Sequence, residues 1–481
     1  MKDNLIYTDV LIIGSGPGGS ISGYEIKKNT RLKVLILEKG KSKPNHLKPY
    51  SSQEMDESYY KSGLSACIGK GNLVFATAQT LGGGSEINSG FFLDLPKKIF
   101  LKWKKKINNL SLNEINENLK EIRSDLKINS NVADEGKASK VLRIGCAKLN
   151  LNSERTSRWI KSKKINGKWL HKRYGMRDTY LKKFIKLGGK IKTKCTALKI
   201  SDYNKEENCY KIKYLENEKI KYLKCKYLFI CGGPILTPEF LLNSGIKKNI
   251  GTNLMFHQMS RLVAKFDKKI NENDFGVPVR QVNHFKPEMT FGCSVSTKQH
   301  LALWMSSNKN LGKIMNNYQN YSIYYSLINS DSKGRIVKTK LNYDSFVIYN
   351  VSKKDIKKNI AGIKKLGKIL FLGGAKKIYL PCGNIKSLDI ISFSSIFEMD
   401  TFFKKNKYIP ELSSIHLFSS VPMGKDENSP LDSFGKLKNQ SNIYINDASM
   451  LPTPTGVNPQ GTIMAVAKRN VEKFITSLNK Y

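Results

Sequence analysis

The stretch "DVLIIGSGPGGSISGYEIKK", residues 9–28, constrains this chain more than any other. An apolar run enters Gly14-x-Gly16-x-x-Gly19, and a helix-compatible segment follows. "LKVLILEKG", residues 32–40, then supplies a second apolar run closing on Glu38. Strand, glycines, helix, strand and terminal acid together specify a nucleotide-binding βαβ unit, hence a parallel sheet carrying helices. Gly14 permits the tight turn, Gly16 lets main chain approach a pyrophosphate, and Gly19 lets helix and strand pack closely. The helix N-terminus, opening at Pro17, presents free N–H groups and a positive dipole end to phosphate. Glu38 is suited to accept hydrogen bonds from a ribose diol. Gly14, Gly16, Pro17, Gly19 and Glu38 are therefore the expected dinucleotide contacts. The motif does not by itself distinguish FAD from NAD.

A chain of 481 residues has room for two domains with a large core. No apolar run reaches the length of a membrane-spanning helix. The short apolar segment at the N-terminus runs directly into glycines, as a buried strand does, so the default expectation is a cytoplasmic protein. Eight cysteines without a C-x-x-C pair indicate free thiols, not a disulfide framework or a metal site. The formal charge of +43 is large, but 71 lysines against 11 arginines are scattered along the chain. That is a compositional bias more than a designed patch. Nucleic acid is not an expected partner; peripheral membrane contact stays open.

Residues 100–190 read as helices and loops with an irregular middle. "KIKTKCTALKI" reads as a strand. "CYKIKYLENEKIKYLKCKYLFICGG" reads as a hairpin-like pair followed by a buried strand ending in glycines. "SRLVAKF", "HLALWMSS" and "DSFVIYNVS" look strand-like. In "DIKKNIAGIKKLGKILFLGG", Ile356, Ile360, Ile363, Leu366 and Ile369 recur at helical spacing between lysines. Such a helix packs on a sheet with its lysines in water, or lies on a membrane; the first is the expectation.

Three further stretches select the cofactor: "TLGGGSEINSGFFLDLP" (80–96), "YLFICGGPILTPEFLLNSGI" (227–246) and "DASMLPTPTGVNPQGTIMAVAKRN" (447–470). With the N-terminal motif, and in the same order, they resemble the glucose–methanol–choline (GMC) family of FAD-dependent oxidoreductases along the whole chain. "IGTNLMFHQ" (250–258) resembles that family's G-x-N-L-x-x-H segment. The resemblance implies a Rossmann-like α/β FAD-binding domain with an α+β substrate domain built on an antiparallel sheet. The expected division is 1–100, 190–258 and 431–481 for FAD, with 101–189 and 259–430 for substrate. It implies flavin contacts from Gly83, Gly84, Ser85 and Asn88, and a second close approach at Gly232 and Gly233. It further implies an adenine contact at Thr196 and contacts from Asp447, Ala448, Asn458, Pro459 and Gln460. No histidine lies between residues 47 and 170, so FAD is expected to be non-covalent.

By the same resemblance His416 and Asn458 are the catalytic pair. His416 precedes Met423-Gly424 at the family's spacing, and Asn458 lies eleven residues after Asp447. Oxidising an alcohol removes a proton from oxygen and a hydride from carbon. Histidine suits the proton near neutral pH, the flavin takes the hydride, and an asparagine orients the hydroxyl without competing as a base. As a cap, Asn458 would also open a helix with Pro459 at its first position. His257 is read as structural or as lining the flavin side. One departure stands out: Ser419 replaces the glycine usual three residues after the catalytic histidine, within Ser419-Ser420-Val421-Pro422. The segment 362–381 resembles the long-chain-alcohol and sterol oxidase branch. An apolar alcohol is therefore the expected substrate, a sugar or polyol the alternative, with oxygen, a quinone or another acceptor. Rival readings are a lyase-type member of the family and a non-catalytic flavin binder.

Overall fold

The structure is a computed structural model that describes residues 5–42, 47–128, 135–272, 275–339, 344–381, 383 and 389–478. His46 and Cys382 lie outside the described residues; the other seven cysteines are free. Two large sheets organise the chain.

The first sheet has seven strands. Its heart is β1 (Ile6–Ile13), followed by helix α1 (Pro17–Asn29) and strand β2 (Val34–Leu37). β1 pairs in parallel with β2 on one side and with the strand Lys219–Ile230 on the other. Lys190–Lys192 extends the parallel arrangement beyond β2, and Ile443–Ile445 pairs in parallel with the end of Lys219–Ile230. Val34, Leu35, Ile36 and Leu37 are all buried, as a parallel strand covered on both faces requires. Ile13, Leu37 and Ile230 are in register. Gly14, Glu38 and Gly232 therefore all emerge at one sheet edge, the crevice where open α/β sheets bind ligands.

The hairpin expected within 209–233 is real, but its second arm and the buried strand are one twelve-residue strand, Lys219–Ile230. Its first half pairs antiparallel with Cys209–Glu216, and its second half is the buried parallel strand. Alternating lysines at the exposed end made one strand look like two. The irregular middle of 100–190 also holds a hairpin, Ile160–Ile165 with Lys168–Arg173. "HLALWMSS" is not a strand: a helix spans Lys298–Trp304, capped by the Thr297 hydroxyl accepting from the His300 N–H at 3.4 Å. Its β-like composition yields to the cap and to the burial of Leu301.

The second sheet has eleven strands and is almost wholly antiparallel. Met255–Lys265 and Tyr321–Asn329 form its spine, paired from His257↔Asn329 to Lys265↔Tyr321. Within residues 1–100 and 190–258, Ser65–Ala66, Leu73–Phe75 and the start of Met255–Lys265 join this sheet. The two-residue period of the spine divides its side chains. Leu262 and Ala264 pack against Ile363, Leu366, Ile369 and Leu370 of the helix Lys353–Leu372. That helix buries its apolar face on the sheet, so the packing reading of its lysine-rich pattern holds. His257, Met259 and Arg261 project from the opposite face. Among the described residues no helix is long and apolar enough to cross a membrane.

Candidate active site

One cavity of about 700 Å³ runs from the edge of the first sheet to the face of the second. Gly14, Gly16, Pro17, Glu38, Gly83, Gly84, Asn88, Thr196, Gly232 and Gly233 line it, as do Asp447, Ala448, Asn458, Pro459, Gln460 and His416. Gly19 and Ser85 do not. A Cβ on Gly19 would overlap the Gly14 carbonyl oxygen, so this glycine serves helix–strand packing, the role its position in the motif implies. Ser85 is fully buried beneath its loop. Its hydroxyl donates to the Gly82 carbonyl at 2.8 Å and accepts from the Met176 N–H at 2.8 Å. Gly14 has φ +98°, where a side chain is strained and a Cβ would lie 2.5 Å from the Cys231 carbonyl oxygen.

The carboxylates near the cleft hold the loops in place. Glu38 accepts from the Ser15 N–H (3.0 Å), the Ser15 hydroxyl (2.6 Å) and the Gly40 N–H (2.7 Å). Ser15 in turn accepts from the Gly82 N–H at 2.9 Å, tying the glycine loop at 82–84 to the dinucleotide turn. Asp447 accepts from the Gly233 N–H (2.8 Å), the Thr237 hydroxyl (2.5 Å) and the Ser449 N–H (2.7 Å). It thereby caps the helix Gly233–Asn243. Burial raises the pKa of both acids, and these hydrogen bonds oppose the rise. Asn88 donates to the Gln460 side chain at 2.8 Å, which joins the glycine loop to the start of the last helix.

At the other end of the cleft stands His416, 9% exposed, with its Nε2 3.5 Å from the Asn458 amide nitrogen. Asn458 does not cap the last helix. That helix begins at Gln460, and the Pro459 carbonyl accepts its first bond, from the Ile463 N–H at 2.9 Å. The Asn458 oxygen instead accepts from Gln281 at 3.0 Å, and Gln281 also donates to the Tyr325 hydroxyl at 2.8 Å. Tertiary contacts from the second sheet thus take the amide that local helix chemistry would have used.

His257 is fully buried beneath His416, with the two Nδ1 atoms 3.2 Å apart. The Gly456 N–H donates to His257 Nε2 at 3.0 Å. A backbone amide can only donate, so His257 Nε2 carries the lone pair and Nδ1 the proton. His257 then donates to His416 Nδ1, and a neutral His416 carries its own proton on Nε2, facing the cavity and the Asn458 NH2, with no hydrogen bond between these two donors. Burial, then the charge His416 would carry, pushes His257 well below the usual histidine range; burial pushes His416 down to about 4. Both rings are neutral at pH 7.

Ser419 explains the glycine it replaces. Its φ is +64°, and its fully buried hydroxyl has no hydrogen-bond partner. Both features disfavour serine here. Ser419→Gly is therefore expected to raise stability by about 1–2 kcal/mol, read as an increase in the midpoint of denaturant unfolding with an unchanged slope.

The site's architecture has relatives. Family models described as GMC oxidoreductase match residues 55–259 and 332–467. The chain belongs to the GMC oxidoreductase family. An uncharacterised GMC-type oxidoreductase of Sinorhizobium fredii is 27% identical, over 97% of this chain and 94% of that protein. A long-chain-alcohol oxidase of Arabidopsis thaliana is 24% identical, over 96% of this chain and 68% of its own length. Among solved structures, the pyridoxine 4-oxidase of Mesorbium loti superposes with a TM-score of 0.73 at 15% identity, covering 97% of this chain and 99% of that one. The GMC oxidoreductases are FAD-dependent, and the cleft of this member fits FAD. Gly16, Gly84 and Gly233 face space that the protein leaves open: a Cβ on Gly84 or Gly233 would meet nothing within 4 Å, and one on Gly16 only the Gly83 Cα at 3.9 Å. Glycine at 16 and 84 has no packing reason, and a bound dinucleotide supplies one; Gly233 is also called for by its φ of +85°.

Reading the sequence alone passed over Ser15, Gly18, Gln281, Tyr325 and Arg261. Of these, Arg261 carried a signal, since it falls two and four residues after Met259 and His257 on a strand. The others depend on partners distant in the chain.

Proposed function

We propose that this GMC oxidoreductase oxidises a CH–OH donor to an aldehyde or ketone. His416 and Asn458 are its catalytic pair, and FAD is bound non-covalently. The supporting observation is the juxtaposition of His416 and Asn458 on a cavity continuous with the glycine-lined cleft. Bound FAD supplies the hydride acceptor. Gly14, Gly16, Pro17, Glu38, Thr196, Gly232 and Gly233 would hold its dinucleotide part. Gly83, Gly84, Asn88, Asp447, Ala448, Pro459 and Gln460 would hold the remainder. The division into a discontinuous FAD domain and a substrate domain, as set out above, belongs to the same proposal.

Asn458, fixed by Gln281, orients the substrate hydroxyl, and His416 takes its proton. Acceptance at Nε2 requires a lone pair there, so the His416 proton must first move to Nδ1. His257 must then present a lone pair at its own Nδ1 and release Gly456. His416 lines the cavity, so the proton leaving its Nε2 can be carried by water or by the substrate hydroxyl. Likeness to long-chain-alcohol oxidases favours an apolar carbon chain in the substrate.

The test is anaerobic flavin bleaching with fatty alcohols, sterols, sugars and choline, followed by re-oxidation with oxygen or a quinone. Bleaching by an alcohol supports the proposal; turnover of a substrate without bleaching indicates lyase chemistry and overturns it. The same measurement against pH gives a second expectation. Protonated His416 cannot accept a proton, and burial holds it near 4 instead of 6.5. Bleaching efficiency, as the flavin reduction rate constant divided by the substrate dissociation constant, is therefore expected to be level from pH 8 to 6 and to fall only as pH approaches 4. An acid limb centred near 6.5 contradicts the burial argument.

A further inference from the structure

The cavity is also lined by residues of the second sheet, among them Met259, Tyr325, Leu327 and an arginine, Arg261. His257, Met259 and Arg261 alternate outward on Met255–Lys265, so the Cα atoms of His257 and Arg261 stand about 13 Å apart. Between them Met259, Leu327 and Tyr325 form an apolar cluster. Arg261 donates to the Ser294 hydroxyl at 2.8 Å, and its guanidinium lies over the Trp304 ring at 4.9 Å. Its Nε is shut away from solvent with no hydrogen-bond partner.

No carboxylate pairs with Arg261 among the described residues, whereas Arg173 meets Glu54, Arg280 meets Glu135 and Arg469 meets Glu114. Glu54, near Tyr59, is already engaged by Arg173 and by the Tyr50 N–H. His300, whose Nδ1 lies 2.8 Å from the Thr297 hydroxyl, is pushed by burial down to about 4 and adds no charge. Burial lowers the Arg261 pKa to about 10, which still leaves a full cation at neutral pH. A half-buried cation without a carboxylate partner is unfavourable, and a guanidinium fork matches an oxyanion.

We propose that Arg261 is the anion-binding residue of the substrate chamber, and that the substrate is an amphiphilic alcohol with an oxyanion, such as a carboxylate, at the end remote from its carbinol. The proposal rests on reading His416 and Asn458 as the carbinol site. The carbinol meets that pair, the apolar chain crosses Met259, Leu327 and Tyr325, and the oxyanion meets Arg261 with Ser294. The rise per residue along the strand sets roughly six to ten carbons between the two ends. Arg261 lies on the second sheet, away from the glycine turns that would face the FAD pyrophosphate.

The test uses the FAD-loaded protein and separates binding from turnover. Binding of alkanoates of matching length is read by perturbation of the flavin spectrum and by thermal shift, beside their methyl esters and alkyl phosphates. The acids are expected to bind and the esters to bind about 10²–10³-fold more weakly. Arg261→Met is expected to abolish the difference, and Arg261→Lys to restore part of it. Preference for alkyl phosphate over alkanoate would also support the site and would assign the oxyanion to a phosphate ester. Equal binding of acid and ester, or alkanoate binding unchanged in Arg261→Met, overturns the proposal. Arg261→Met also removes a half-buried charge that no carboxylate neutralises, so the ligand-free variant is expected to melt no lower than the parent. A lower melting point would mean the arginine is structural. Turnover is read separately, as bleaching by ω-hydroxyalkanoates against 1-alkanols. Arg261-dependent alkanoate binding without bleaching by any alcohol would leave the anion site standing and overturn the oxidation reading.

Discussion

His416→Ala is expected to slow alcohol-dependent flavin bleaching by about 10²–10⁴-fold while leaving FAD bound. His416 is the ring beside Asn458 on the cavity; His300 lines the same cavity but stands beside Arg261. His257 is fully buried and committed to Gly456, so it cannot swing out to act as the base. FAD retention is expected because the glycine turns and the Glu38 and Asp447 anchors lie away from the substituted ring. Removing the ring also leaves the His257 Nδ1–H without its acceptor, at a cost of about 1–3 kcal/mol. The variant should therefore melt lower but remain folded. Stopped-flow reduction under anaerobic conditions, with the flavin absorbance of the purified variant as the binding check, decides the matter. Bleaching at the parent rate would remove His416 from the mechanism.

The second large effect separates two glycines three residues apart. Gly19→Ala is expected to prevent accumulation of folded protein, because its Cβ would overlap the backbone oxygen of Gly14 and neither strand nor helix can yield. The penalty belongs at or above the top of the about 1–3 kcal/mol range for overpacking. Gly16→Val is expected to fold normally, since only the Gly83 Cα lies near its Cβ, at 3.9 Å. Its side chain would occupy the space intended for a pyrophosphate, so the variant should purify without FAD. Far-UV circular dichroism and flavin content of both variants test the pair. A yellow, FAD-replete Gly16→Val would show that the open space at Gly16 is not the phosphate site.

Much of the site was legible because its chemistry is local. A strand entering Gly14-x-Gly16-x-x-Gly19 and an acid closing the next strand declare their roles within thirty residues. Gly18 was not legible, because what forbids its Cβ is the Asn446 carbonyl oxygen from the far end of the chain. Ser419 was legible as a departure from the family's glycine, but only the backbone shows that the position demands a positive φ. The cap reading of Asn458 was sound local chemistry, overridden by Gln281 from 177 residues away.

By itself, the sequence determined the α/β dinucleotide unit, the family resemblance and the candidate pair His416 and Asn458. Backbone conformation and hydrophobic period express themselves over short spans, and such features survive in the order of residues. Tertiary structure decided the rest. It stacked His257 under His416 and so set which nitrogen holds the proton. It gave Asn458 to Gln281, and it left Arg261 on the cavity wall without a carboxylate. Hydrogen bonds and charge compensation are settled by which distant segments the two sheets bring within a few ångströms, and no local pattern encodes that distance.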